Sequence, residues 1–192
     1  MADACVIELK PETPAEDFRG AMRHLVGGVS VITSGRGSEI TGMTVTLVSS
    51  LSLDPPSLIV GINRASSTWP VLERCGVFGV NILTADQLDI AERFSGKNGL
   101  KGAERFAGGQ WTTRGGGAPL LVGAAAAIDC EVEHVVKRHS HAIVIGRVRH
   151  VLRSKHESAL AYWHGRYVVI DRDEDVARLA AVGVPWGARS AG

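Results

Sequence analysis

The feature that most constrains this chain is a succession of β-branched, apolar runs with little helix between them. Such runs fall at residues 26–33, 40–48, 57–62, 77–83, 124–136, 141–152 and 166–170. Val, Ile and Thr are stiff at χ1 and fit a pleated surface, so each run reads as a strand. Gly35-Arg36-Gly37-Ser38 is turn chemistry and predicts a hairpin between the first two runs. Asp54-Pro55-Pro56 is expected to end the pairing of the second, because neither proline can donate to a ladder. The count is six or seven strands with two or three short helices. Strands adjoin strands more often than they alternate with helices, which favours a mainly β Greek-key barrel over a doubly wound sheet.

The helices announce themselves locally. Residues 18–25 read as a lead-in helix, and residues 67–74 as a second with Pro70 in its first turn, where a missing amide costs little. Thr84 and Gln87 have capping-box spacing ahead of a third helix that runs to about Phe94. Residues 95–117 are glycine-rich and loop-like, with one short helix expected at 103–106. Residues 124–136 alternate. Ile128, Cys130 and Val132 share one face, and Asp129, Glu131 and Glu133 the other, which predicts a half-exposed strand.

The chain has 192 residues, 45% hydrophobic and 21% charged, which fits one globular domain with a proper core. We expect that domain at 18–170, between an N-terminal extension, 1–17, and a loosely held C-terminal tail, 171–192. The net charge is +1 without a basic stripe, so nucleic acid is not an expected partner. The first residues are acidic and lack an apolar run, unlike a signal peptide. The longest apolar stretch, 120–128, falls well short of the ~20 residues a membrane span needs. Three widely spaced cysteines, Cys5, Cys75 and Cys130, do not make a disulfide framework and fit a reducing, cytoplasmic compartment. His139 and His141 share a strand face, but a third ligand is not evident and no metal is expected. No G-x-G-x-x-G follows a strand, and neither a P-loop nor a G-x-S-x-G elbow is present.

Chemistry concentrates in two segments that flank one short strand. The first, residues 42–56, reads GMTVTLVSSLSLDPP; the second, residues 63–73, reads NRASSTWPVLE. The plain reading of the first is a threonine-rich strand, and of the second a helix cap with hydroxyls to spare. Surplus hydroxyls with Arg64, free amides and a helix start make a cradle for a phosphorylated ligand, and one ligand could touch both segments.

These segments resemble the flavin reductase family, whose pattern is a G-x-T-x-[NST] strand, then S-x-S-L-[DE]-P-P, then a Ser/Thr-rich turn. Further along, FGVNILTADQLDIAERFSG at 78–96, Phe106-Ala107-Gly108, Gly117-Ala118-Pro119-Leu120-Leu121, HSHAIVIGRV at 139–148 and Tyr162-Trp163-His164-Gly165-Arg166-Tyr167 follow the family's wording in order. Each motif alone is weak; their order and spacing are specific. The resemblance covers 18–169.

The resemblance implies a six-stranded, FMN-binding split barrel that forms a homodimer, and the apolar, glycine-rich stretch 115–127 is expected to need that partner as cover. It implies FMN or FAD bound loosely, hydride taken from NADH or NADPH, and reduced flavin passed to a partner monooxygenase. It places the isoalloxazine along Thr44, Val45 and Thr46. Ser49 and Ser50 line the ribityl and phosphate path, and Ser66, Ser67 and Thr68, beside Arg64, hold the phosphate. Phe94 and Ser95 lie near the outer nucleotide. His141, the candidate catalytic residue, and Tyr167 face the nicotinamide.

Two positions depart from the pattern. His139-Ser140 stands where the family has Gly-Asp, which leaves the His141 ring to another partner. Thr46 stands where Asn or Ser is usual, and a hydroxyl replaces only some amide contacts. Hydride transfer depends on stacking the two rings, so the absence of an obvious acid–base pair agrees with it. The competing readings are a non-catalytic flavin- or haem-binding split barrel and a pyridoxamine-phosphate-oxidase-like enzyme. The latter calls for a richer Arg/Lys phosphate site than Arg64 and the hydroxyls offer.

Overall fold

The computed structural model describes residues 13–155 and 158–171. Most of the expected N-terminal extension, Cys5 with it, and nearly all of the expected C-terminal tail lie outside the described residues. In chain order the elements are α1 (Ala15–Met22), β1 (Gly27–Gly28), β2 (Ser30–Ser34), β3 (Thr41–Val45), β4 (Val48–Leu53), β5 (Pro56–Asn63) and α2 (Trp69–Cys75). They continue with β6 (Val77–Ile82), α3 (Leu88–Phe94), a 3-10 turn at Gly102–Phe106, β7 (Trp111–Thr112), β8 (Leu120–Leu121), β9 (Ala126–Arg138), β10 (His141–Arg153), β11 (Ser158–Trp163) and β12 (Arg166–Asp171).

Seven antiparallel strands in the order β3-β2-β6-β9-β10-β5-β4 build the main sheet, and β1-β11-β12 build a small second one. The mainly β split barrel with a few short helices is the class the sequence indicated. The seventh strand arises because the run 40–48 is not continuous. It breaks at Thr46-Leu47, and β4 turns away to pair with β5. The Asp54-Pro55-Pro56 segment does not end pairing, contrary to expectation. Leu53 pairs with Pro56, so Asp54-Pro55 is the tip of the β4–β5 hairpin. A proline can open a strand there because β4 is the sheet's edge and a hairpin tip spares one donor.

Every residue of β2 is buried, since both its faces are covered. Val31 joins a core under α3 with Leu83, Phe94, Phe106 and Leu120, whereas Ile32 joins a second core with Val60, Leu72, Phe78 and Val144. Phe94, Phe106 and Trp111 form an edge-on aromatic cluster with centroids 4.8–5.6 Å apart. The β9–β10 ladder shifts register at Ile145/Gly146. A Cβ on Gly146 would come within 2.3 Å of the Phe78 ring, so only glycine fits at this bulge.

Three sequence expectations are corrected here. Asp129, assigned to a solvated face, is fully buried and accepts from Gly116 N at 2.8 Å, because the 115–117 loop folds over β9. The Cys130 thiol behind it is pushed up to about 12 by burial first and the Asp129 carboxylate second. The apolar stretch 115–127 does not await a partner: Ala118, Leu120, Leu121, Ala124 and Ala127 are buried within the chain itself. At Thr84 only half of the capping box forms. Gln87 Oε1 accepts from Thr84 N at 3.1 Å, while the Thr84 hydroxyl donates to Asp86.

Strand β11 was not foreseen. Its sequence, SALAYW, carries no β-branched residue to announce a strand. Burial and backbone bonding create it. Val29 N donates to Leu160 O at 2.9 Å, Leu160 N to Leu83 O at 3.2 Å, and Leu83 N to Val29 O at 3.1 Å. These three buried residues fasten the small sheet to the barrel and so hold Tyr162 and Tyr167 in place.

Candidate active site

The break between β3 and β4 opens a cleft of about 370 Å³. One wall comes from β3 and the break itself: Met43, Thr44, Val45, Thr46 and Leu47. Gly61 and Asn63 at the end of β5 and His141 at the start of β10 form a second side. Ser95 and Lys97 enter from the loop after α3, and Tyr162 and Tyr167 from the small sheet. His141 and Asn63 are direct cross-strand partners, which is why both reach the same rim.

Close approach of backbone makes the cleft possible. Gly61 N donates to Leu47 O at 3.0 Å, and a Cβ on Gly61 would touch the Leu47 side chain at 3.1 Å. A Cβ on Gly27 would meet Thr46 Cβ at 2.9 Å. Both glycines thus leave room for the Thr46-Leu47 bend. The wall is braced from behind. The buried Arg105 donates from Nη1 to Gly42 O in β3 and from Nε to Leu100 O at 2.9 Å. Burial lowers the Arg105 pKa from its ordinary value. The Thr44 hydroxyl donates to Ala91 O of α3 at 2.6 Å, which ties β3 to that helix.

The missing aspartate before His141 has a substitute. Ser140 Oγ and His141 Nδ1 share a hydrogen bond of 2.8 Å, which orients the ring and leaves Nε2 for a ligand. The turn that holds this pair is a two-residue connection in which His139 takes φ 48°. Tyr167 packs edge-on against Tyr162, centroids 5.2 Å apart. Burial, then Tyr162, then the Glu92 carboxylate push its phenol above the ordinary tyrosine range, so it stays a hydrogen-bond donor at neutral pH.

Of the residues singled out from sequence, Thr44, Val45, Thr46, Ser95, His141 and Tyr167 line this cleft together. The others do not line it. Ser49 and Ser50 are exposed on β4. Arg64 is exposed and its Nη1 donates to His139 O at 3.0 Å. Ser66 Oγ accepts from Trp69 N at 3.3 Å, and Ser67 is exposed beside it. Thr68 differs most from its expected role: it is fully buried, its hydroxyl 3.4 Å from that of Thr41. Phe94 is 1% exposed and belongs to the aromatic core. Sequence reasoning missed Val29, Met43, Leu47, Gly61, Asn63, Lys97 and Tyr162. Asn63 was within reach, standing first in the NRASST cluster; Tyr162 lay in the strand that had no signal.

The cleft's size is that of a small-molecule site. Val29, Met43, Val45 and Leu47 give apolar surface for a ring, while hydroxyls, Asn63 and one ammonium give polar anchors. Among the described residues no Asp or Glu lines it. A barrel with such a cleft belongs to the class of barrels that bind a small molecule. The family model for the flavin reductase like domain matches residues 22–171, and the chain belongs to that family. It is 38% identical over 152 residues to FMN reductase (NADH) RutF of Stutzerimonas stutzeri (strain A1501), covering 79% of this chain and 86% of that one. It is 32% identical over 169 residues to HsaB, the reductase subunit of a flavin-dependent monooxygenase of Rhodococcus jostii (strain RHA1), covering 88% and 82%. Among solved structures, the NADH:FAD oxidoreductase SgcE6 of Streptomyces globisporus C-1027, in complex with NAD and FAD fragments, superposes with a TM-score of 0.76 at 27% identity, covering 87% and 99%.

Proposed function

We propose that this chain is an NAD(P)H-dependent flavin reductase that moves hydride from NADH or NADPH to FMN or FAD and supplies the reduced flavin to a partner monooxygenase. The observation that carries the reading is the cleft itself. Thr44 to Thr46 line it together with His141 and Tyr167, and among the described residues no carboxylate does. Bound flavin supplies the two-electron acceptor. The chain's residues bind and orient. Val45 and Leu47 exclude water from one side, and Thr46, Ser95 and Asn63 offer hydrogen bonds to the ring edge and its chain. His141, held by Ser140, and the neutral Tyr167 phenol position the nicotinamide carboxamide. No residue needs to move a proton during the transfer, so positioning carries the rate. The test is anaerobic mixing of the protein with FMN and NADH: the yellow flavin absorbance bleaches far faster than without protein.

His141→Ala is expected to lower kcat/KM for NADH by about ten-fold, roughly 1.4 kcal/mol, with flavin affinity nearly unchanged. Steady-state kinetics at fixed FMN, with a flavin titration alongside, separate the two. Unchanged NADH kinetics in the folded variant would assign the nicotinamide side to Tyr167 alone.

The assembly we propose is a homodimer in the cytoplasm. Helix α1 buries none of its residues, and Phe18, Leu25, Leu47, Leu51, Leu53 and Trp163 are 42–89% exposed. An apolar area of this kind calls for cover, and a second copy is the occupant the family reading favours. Light scattering at micromolar concentration is expected to give twice the chain mass; the mass of one chain would contradict it. Among the described residues Cys75 and Cys130 are free, which agrees with a reducing compartment, and no helix is long and apolar enough to cross a membrane.

A further inference from the structure

The hydroxyl cluster at 63–68 brought Arg64 forward as the charge for a ligand phosphate, but the structure turns Arg64 to the His139 carbonyl and leaves it outside the cleft. Among the described residues one lysine lines the cleft, Lys97. From this we propose that Lys97 receives a phosphate of the nucleotide bound there and so makes the site prefer phosphorylated ligands. The inference rests on the flavin reductase reading and adds to it a specificity residue.

Several observations converge on Lys97. Its backbone is pinned: Lys97 N donates to Ser95 Oγ at 3.3 Å, and that hydroxyl donates to Glu92 O at 2.7 Å. Gly96 takes φ +81°, a left-handed turn that glycine adopts without strain, and Gly99 N donates back to Gly96 O at 3.4 Å. The loop is thus a compact turn with the lysine at the cleft edge. The ion pairs among the described residues use Arg74, Lys137 and Arg149, not Lys97. Among the described residues no Asp or Glu lines the cleft, and Lys97 shares that lining with Thr44, Thr46, Ser95 and Asn63. The Thr44 and Ser95 hydroxyls donate to Ala91 O and Glu92 O, so the Thr46 hydroxyl and the Asn63 amide are the donors beside the lysine that suit a phosphate, and lysine serves phosphate as a compact point charge. The phosphate has two possible sources: the flavin mononucleotide tail or the nucleotide half of the dihydronicotinamide.

The experiment compares wild type, Lys97→Met and Lys97→Arg. Binding of FMN and of riboflavin is titrated by flavin fluorescence at low and high salt. NADH and reduced nicotinamide riboside are compared in the steady state with riboflavin as acceptor. The expected result is a loss of about ten-fold in Lys97→Met, confined to the phosphorylated member of one pair, shrinking at high salt and largely restored by Lys97→Arg. The affected pair names the source. Equal losses within both pairs, or unchanged values throughout, overturn the role of Lys97 while wild-type FMN binding keeps the reductase reading intact. Wild-type protein that binds neither flavin overturns both.

Discussion

Gly61→Phe is expected to abolish flavin-dependent NADH oxidation, by a hundred-fold or more in kcat/KM, while leaving the barrel folded. Gly61 sits on β5 with its missing side chain directed at the cleft, where a bare Cβ already touches Leu47 at 3.1 Å. A phenyl ring there has two places to go. It fills the space between Thr46 and His141, or it drives Leu47 into that space. Either way the planar ligand is excluded, and two decades of rate correspond to about 2.7 kcal/mol. The fold tolerates the change because Gly61 is only half-buried and aromatic residues suit strands. Circular dichroism and Tm check the fold, and kinetics with saturating NADH check the loss. Full activity in a folded Gly61→Phe protein would move the reaction away from this cleft.

The second large effect is on stability. Arg105→Leu is expected to cost about 2–4 kcal/mol. Arg105 is buried, and its guanidinium serves the carbonyls of Gly42 and Leu100. Each buried acceptor left without a donor costs about 1–3 kcal/mol. Part of that is offset, because burial also penalises the guanidinium charge and leucine removes the penalty. At about 2–4 °C per kcal/mol for a domain of this size, Tm falls by roughly 10 °C. Because Gly42 precedes Met43 and Thr44, the residual folded protein is also expected to bind flavin more weakly. An unchanged Tm would mean that water replaces the guanidinium without cost.

The barrel was legible because β-branched runs and glycine turns act locally. The run at 77–83 and the long pair 124–136 and 141–152 came through nearly whole, since each buries a face that its own sequence declares. What stayed hidden depends on tertiary closure. Strand β11 exists because Leu160 fits between Leu83 and Val29. Asp129 is buried because a glycine loop distant in sequence folds over it. The Pro-Pro segment misled because proline blocks a ladder in mid-strand yet is welcome at the edge and tip of a hairpin.

The site divides in the same way. Thr44 and His141 could be read as neighbours because they sit on strands that end at one rim, and Thr46 because it follows β3 directly. Thr68 and Phe94 were read as ligand neighbours, but the packing of α2 and α3 turns both inward, and a sequence motif does not carry side-chain direction. Lys97 lay in a glycine-rich stretch whose fold no periodicity describes, so its charge could not be placed until the turn at Gly96 was seen.

The central claim is that flavin is a substrate of this protein and not a fixed part of it. The most direct measurement is NADH oxidation by exhaustively dialysed protein, with and without added FMN or FAD. The account predicts a nearly colourless protein whose NADH oxidation rises steeply and saturably with free flavin. Tightly held yellow colour that survives dialysis, with no stimulation by added flavin, would contradict it.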